Sequence, residues 1–246
     1  MSESRESRES SRILRVDGLV NARDLGGLPR TGGGETPYGV FFRSEIVDRV
    51  TPSGWDQMYE AGIRSVIDLR TPGERARDVH DRPDWLTTVA VDLDGAENRE
   101  FWPYFEDSGL DGTPLVFLPH LAAMPERMGA VLTALAEAPE GGVLFHCMSG
   151  RDRTGLTAMV LLHAAGVRPE AVADDYLQTA RLGGGFALTT DAQRELILID
   201  ELLGQHGTTA ERALLAAFEG LRLEELHLSP QVRHRVMTWR GVLTHG

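Results

Sequence analysis

His146-Cys147-Met148-Ser149-Gly150-Arg151-Asp152-Arg153-Thr154-Gly155 decides how the rest of the chain is read. It follows an apolar run, Val143-Leu144-Phe145, and precedes a helix-like run from Leu156 to Ala165. Cys147, the one cysteine in the chain, therefore falls where a buried strand turns into a helix. A helix start carries unpaired N–H groups and the positive end of the dipole, so it draws anions. Arg153 lies six positions after Cys147, far enough for the intervening loop to wrap a phosphate and return a guanidinium beside the sulfur. Met148, Ser149, Gly150, Arg151, Asp152 and Arg153 are the expected phosphate-binding residues. Gly150 permits the tight turn. The helix start, the loop amides and Arg153 together favour the thiolate, the form in which cysteine attacks. The planar fork of Arg153 binds two phosphoryl oxygens at once and follows them into the transition state. His146 is expected to orient the loop through a ring hydrogen bond rather than to act as a base. Two roles fit Thr154 equally: helix cap, or hydroxyl donor to the sulfur.

Working outward, Val143–His146 reads as a central strand and 153–165 as its helix, ended by Gly166. Pro169 opens the next helix, to about Ala180. On the N-terminal side, Ile13–Val16, Val40–Arg43, Ile63–Leu69 and Trp85–Val91 read as strands. Asn21–Gly27 reads as a loop, and Thr31–Gly34 as a turn. Thr51 caps a helix that Pro52 opens and Gly62 stops. Thr71-Pro72-Gly73-Glu74 breaks the chain, and 92–123 shows little periodicity. Met124, Met128, Leu132 and Leu135 recur at helical spacing, as a core-packing stripe on a helix ending near Pro139. Arg181–Phe186 reads as a hinge, and 190–203, 208–220 and 230–240 as further helices. Strands alternating with helices predict an α/β fold, a central mostly parallel sheet flanked by helices. Residues 1–11 are low in complexity and read as a disordered tail, with one domain over 12–246.

His146-Cys147, Gly150 and Arg153-Thr154-Gly155 resemble the signature of cysteine-dependent protein tyrosine phosphatases. The longer ending, Asp152-Arg153-Thr154-Gly155, resembles the bacterial tyrosine/serine and phosphoinositide phosphatases more narrowly. Asn21–Gly27, Phe42-Arg43-Ser44, Ile67–Arg70, Glu74 and Asp175-Tyr176-Leu177 match that family too. The resemblance implies a protein tyrosine phosphatase-like fold with a lid-like helical C-terminal part. It implies attack by Cys147 on phosphorus, a phosphocysteine, and hydrolysis by water, with no cofactor and no metal. Phosphotyrosine is the implied substrate, with phosphoserine, phosphothreonine or phosphoinositides beside it. For the acid that protonates the leaving oxygen, Asp152 ranks first, with Asp68 and Asp92 as alternatives at strand ends. Asp68 and Arg23 are supporting residues. Asp68 also fits a structural acceptor of loop amides, and Arg23 with Asp24 a salt bridge pinning the N-terminal loop. Arg43 reads as a buried ion-pair partner. Arg151 stands where family members often carry lysine, which bears on recognition of a second acidic group.

A net charge of −12 disfavours nucleic acid as a partner. Hydrophobic content of 41% allows a core without disulfides, so cytoplasmic residence is expected, secretion without a classical signal peptide also fitting. No stretch is apolar enough for an integral membrane segment. The oligomeric state is not legible. Phe101, Trp102, Tyr104 and Phe105 suit a core or lid more than a substrate mouth. Helix 190–203 fits a lid, a core helix or a dimer face. Two competing functions are a catalytically idle phosphate-binding module and a rhodanese-type sulfurtransferase. The intact cysteine and arginine disfavour the first, and the Arg153-Thr154 ending the second.

Overall fold

The computed structural model describes residues 11–78, 80–182 and 190–242. Strands β1 (Arg23–Asp24), β2 (Phe41–Ser44), β3 (Ile63–Asp68), β4 (Thr87–Ala90) and β5 (Gly142–His146) form one sheet in the order β1-β2-β5-β3-β4. β1 pairs antiparallel with β2, and the other pairings are parallel. β5 is central and buried throughout, which is why its sequence is a continuous apolar run. Its register sets His146 beside Ser44 of β2 and Asp68 of β3. Three strand ends stop level, so the segments after them share one edge, where ligands collect in open α/β sheets.

Successive strand residues diverge to opposite faces. Phe41, Ile67, Val143 and Phe145 enter the larger core, while Phe42, Val66 and Leu144 enter a smaller one with Trp55 and Met58. Ile63 also joins the smaller core, although it stands three positions from Val66. The register shift between Ile63 and Ser65 is a bulge that resets the parity.

The helices are α1 (Pro52–Glu60), α2 (Pro72–Arg75), α3 (Trp102–Ser108), α4 (Phe117–Ala123), α5 (Pro125–Glu137), α6 (Asp152–Ala164), α7 (Pro169–Arg181), α8 (Thr190–Gln205), α9 (Ala210–Gly220) and α10 (Pro230–Met237). The expected punctuation of α1 is present: Thr51 Oγ1 accepts from the Gly54 amide, and Gly62 takes φ +82° after the last turn. The methionine stripe is core, with Met128, Leu132 and Leu135 fully buried on α5. α6 is buried on nearly every side and packs against α7, α9 and α10. On α8, Leu203 is buried and Leu202 packs on the larger core, whereas Ile197 and Leu198 are exposed. The C-terminal end of this helix is thus a core element.

Three local expectations are corrected. Ile13–Val16 is not a strand: Ile13 makes one antiparallel bridge to Arg23, and Leu14 N–H bonds Ala22 O. The partner ends too soon, because Asp24 turns its carboxylate back onto the Gly26 and Gly39 amides. Asn21–Gly27 is not wholly loop, since it contains β1. Thr71–Glu74 does not merely break the chain. It builds a capping box that starts the one-turn α2. Residues 92–123 hold α3 and α4, short helices whose apolar positions follow the local shape of the core rather than a long repeat. The expected tail falls, apart from Ser11, outside the described residues, and so does most of the expected hinge.

Truncating the fully buried Met128 to alanine is expected to destabilise the protein by about 2–5 kcal/mol. Urea denaturation measures this, and a loss below about 1 kcal/mol would remove Met128 from the core.

Candidate active site

The loop between β5 and α6 is tied from outside, carbonyl by carbonyl. His146 Nδ1 donates to Cys147 O at 2.9 Å. The Ile46 amide donates to Met148 O at 2.9 Å. Asn21 Nδ2 reaches Ser149 O at 3.4 Å, and Arg43 Nη2 donates to Gly150 O at 2.8 Å. Across a planar trans peptide, a carbonyl and the next N–H point in opposite directions. Carbonyls drawn outward from Cys147 onward therefore leave the following amides, at Met148, Ser149 and Gly150, facing the inside of the loop. Such a nest is an anion site. Gly150 is required here: its φ is +71°, and a Cβ would meet Ser44 O at 2.5 Å. Cys147 is buried at the entrance to the loop.

Arg153 is held by Glu74, at 2.6 Å and 2.8 Å, and by Asp94 at 3.0 Å. These bonds occupy both protons of Nη1 and one of Nη2. The Nε–H and the second Nη2–H carry no hydrogen bond among the described residues. They lie on one edge of the guanidinium, the edge that takes two oxygens of one anion. Burial opposes the Arg153 charge. The Glu74 hydrogen bonds, the Cys147 sulfur and Asp94 outweigh it and raise the pKa above the ordinary arginine value.

The two carboxylates on Arg153 differ. Burial disfavours ionised Glu74, but Arg153 and the Thr71 amide and hydroxyl hold it down to about 2. Asp94 is pushed up to about 6, first by burial and then, against the pull of Arg153, by Glu74, Asp92 and Asp152. A carboxyl whose pKa is raised towards neutral pH is a candidate proton donor.

Arg153, Asp152 and Asp94 line one cavity of about 230 Å³, with Trp102, Phe117 and His120 in its walls. Asp68 lies elsewhere: it pairs with Arg70, accepts the Arg70 amide and has a lowered pKa, burial being overcome by those bonds and by His146. Its oxygen is 4.0 Å from His146 Nε2, so it supports the ring from behind. Asp92 accepts the Asp94 amide and pairs with Arg127. Asp152 is paired with Arg151. Thr154 is buried and its hydroxyl has no partner, so it is not a cap; α6 begins two residues earlier. Arg151 is buried, paired with both Asp152 and Glu195 of α8, rather than free for a ligand.

Arg23 does not bridge to Asp24. It bonds Asp175 at 3.0 Å and Thr179 at 2.9 Å, both on α7. Arg43 takes the other Asp175 oxygen at 2.6 Å, and Arg12 also bonds Asp175. All four side chains are buried. Asp94 and this fourfold cluster carry no local signal in the sequence beyond the resemblance. Glu74 carried one, the Thr71-x-x-Glu74 capping-box spacing.

The tyrosine phosphatase family model matches residues 14–224. The chain belongs to the tyrosine phosphatase family. It is 29% identical over 186 residues to a putative tyrosine-protein phosphatase of Cupriavidus necator, covering 73% of this chain and 67% of that one. It is 30% identical over 146 residues to a tyrosine-protein phosphatase of Nostoc commune, 58% of this chain and 49% of that one. It is 28% identical over 171 residues to the triple specificity protein phosphatase PtpB of Mycobacterium tuberculosis, 57% of this chain and 61% of that one. This chain thus spans about half the length of the Nostoc relative. The residues matched by the family model contain the whole Cys147–Arg153 loop, Glu74, Asp94 and Asp175.

Asp175→Asn leaves three buried guanidinium groups without their carboxylate and is expected to cost about 3–5 kcal/mol of stability. A chemical denaturation midpoint unchanged from wild type would refute the role given to Asp175.

Proposed function

We propose that the protein hydrolyses phosphotyrosine through a phosphocysteine at Cys147. The observation that carries this reading is the loop itself: carbonyls bound outward, and Arg153 with one edge open. The Cys147 thiolate attacks phosphorus, and the P–O bond to the leaving oxygen breaks. The amides after Cys147 and the open edge of Arg153 hold the equatorial oxygens as their charge spreads. Glu74 fixes the Arg153 plane from the opposite edge. Asp94 gives its proton to the leaving oxygen in place of Asp152, whose carboxylate is engaged by Arg151. Water then attacks the phosphocysteine, Asp94 takes a proton from it, and phosphate and the thiolate are released. Thr154, with its unpaired hydroxyl at the helix start, donates to the departing sulfur. His146 holds the Cys147 carbonyl. No step calls for a metal or an organic cofactor.

The aromatic walls of the adjoining cavity suit a phenol ring. One relative is named for triple specificity, so phosphoserine, phosphothreonine and phosphoinositides belong in the same assay. Among the described residues no helix is long and apolar enough to cross a membrane. A reducing cytoplasm, which keeps a lone nucleophilic thiol reduced, is the compartment this chemistry suits.

Wild type is expected to release nitrophenolate from p-nitrophenyl phosphate, and Cys147→Ser is expected to release none above background. Equal turnover by both would end the thiolate mechanism. Asp94 works as an acid only while protonated, so kcat/KM is expected to fall as pH rises through about 6. Asp94→Asn is expected to lower kcat about 10²–10⁴-fold and to flatten that limb. Loss of the limb in Asp152→Asn, with the limb retained in Asp94→Asn, returns the acid role to Asp152.

A further inference from the structure

Asp94 sits on a turn whose main chain is gripped on both sides. On the N-terminal side, the Asp92 carboxylate accepts the Asp94 amide at 3.1 Å and the Gly95 amide at 3.4 Å. Asp92 is itself held from α5, where Arg127 pairs with its carboxylate at 3.6 Å and also bonds Glu97. On the C-terminal side, ring N–H groups reach the carbonyls. Trp102 Nε1 donates to Asp94 O at 3.0 Å and lies 3.3 Å from Gly95 O. His120 Nε2 stands 3.4 Å from Asp94 O, and since a carbonyl only accepts, Nε2 carries the proton.

The chain thus closes on itself between Asp94 and Trp102, the first residue of α3. The rings that close it are packed in turn. Phe101 meets Trp102 edge-on with centroids 5.0 Å apart, and His120 edge-on at 5.9 Å. An indole has one N–H and no acceptor, and both oxygens within its reach belong to the Asp94 turn. With the peptides on both sides of Asp94 fixed, only its own side-chain torsions move the carboxyl. Arg153, at 3.0 Å, sets those. Asp94, Trp102 and His120 line the same cavity as Arg153. The rings in the cavity wall therefore also hold the main chain of the acid. Such a hold matters because proton transfer needs hydrogen-bond reach, and a displacement of about 1 Å costs on the order of 10²-fold.

We propose that Trp102 and His120 are positioning residues for proton transfer. Their N–H groups hold the Asp94 carbonyl so that the Asp94 carboxyl meets the leaving oxygen. The inference rests on the phosphatase reading above, in which Asp94 is the acid.

The test varies the need for a proton. Phenolate is a poor leaving group and needs one, whereas 2,4-dinitrophenolate departs without it. For each protein, kcat/KM for phenyl phosphate is divided by kcat/KM for 2,4-dinitrophenyl phosphate. The ratio is taken within each protein, so a loss of folded fraction cancels. Trp102→Phe keeps a ring in the wall and removes the N–H, and its ratio is expected to fall about tenfold below that of wild type. His120→Leu is expected to lower the ratio in the same direction. His120→Gln, whose Nε2 donor replaces the ring Nε2, is expected to restore it towards wild type. Asp94→Asn is expected to lower the ratio most, and adding Trp102→Phe to it lowers the ratio no further, because the indole acts through Asp94. A wild-type ratio in Trp102→Phe overturns the proposal, and so does a fall of the same size in the Asp94→Asn background. Either result, with the ratio still lowered by Asp94→Asn alone, leaves the acid in place and sinks the positioning role only. A ratio unmoved by Asp94→Asn sinks the acid reading and the positioning role together. No turnover of either ester by wild type sinks the phosphatase reading itself.

Discussion

Asp175 is the point on which the site hangs. One buried carboxylate on α7 binds Arg12, Arg23 and Arg43, which come from the N-terminal segment, β1 and β2. Burying four charges is costly, and a single anion does not neutralise three cations. Further N–H donors of these arginines are met by carbonyls and hydroxyls: Asn21 O, Thr179 Oγ1 and, decisively, Gly150 O, while Arg43 Nε has no partner among the described residues. Arg43, one member of the cluster, therefore stands directly behind the phosphate loop. The cluster sews the edge strand, the sheet and α7 together, and it draws one loop carbonyl outward so that the neighbouring amides face in. Arg23 fixes Asn21, which reaches the carbonyl at Ser149. Fold and anion site are held by the same bonds.

Within the site one guanidinium sets two carboxylates apart. Glu74 takes two bonds from Arg153 and two more from Thr71, so its negative charge is fully supported. Asp94 takes one bond from Arg153 and sits among Glu74, Asp92 and Asp152. The first is held as an anion against the arginine, and the second has its pKa raised to about 6. Separating the pKa values of neighbouring acids is how a single site holds both a fixed charge and a proton donor.

The elements were legible wherever a local rule wrote them. Thr51-Pro52 and Gly62 bracket α1, Gly166 and Pro169 separate α6 from α7, and the apolar run at 143–146 is the central strand. The loop between β5 and α6 was legible because its residues are contiguous in sequence. The pairing of the acids near it was not. Only tertiary placement sets Asp94 against Arg153 while Asp92 turns to Arg127. Arg23 was matched with its sequence neighbour Asp24, although its partner stands 152 residues away. Arg151 read as a free cation for the substrate until Glu195 of α8 appeared beside it. Each miss is a charge whose partner is distant, and sequence pattern carries no range information for such pairs.

An acidic body with net charge −12 holding an anion site poses an electrostatic question that the placement of charge answers. Long-range attraction of a phosphate is weak at physiological salt, where exposed charges are screened within about 8 Å. Capture must therefore be local. The loop amides, Arg153 and Arg43 behind Gly150 provide a compact positive well, screened little because it is buried. Glu106 and Asp111 provide a negative rim around the adjoining cavity. A uniform anion gains in the well and loses at the rim. An anion is thus favoured at the loop and disfavoured at the rim, which limits where it settles.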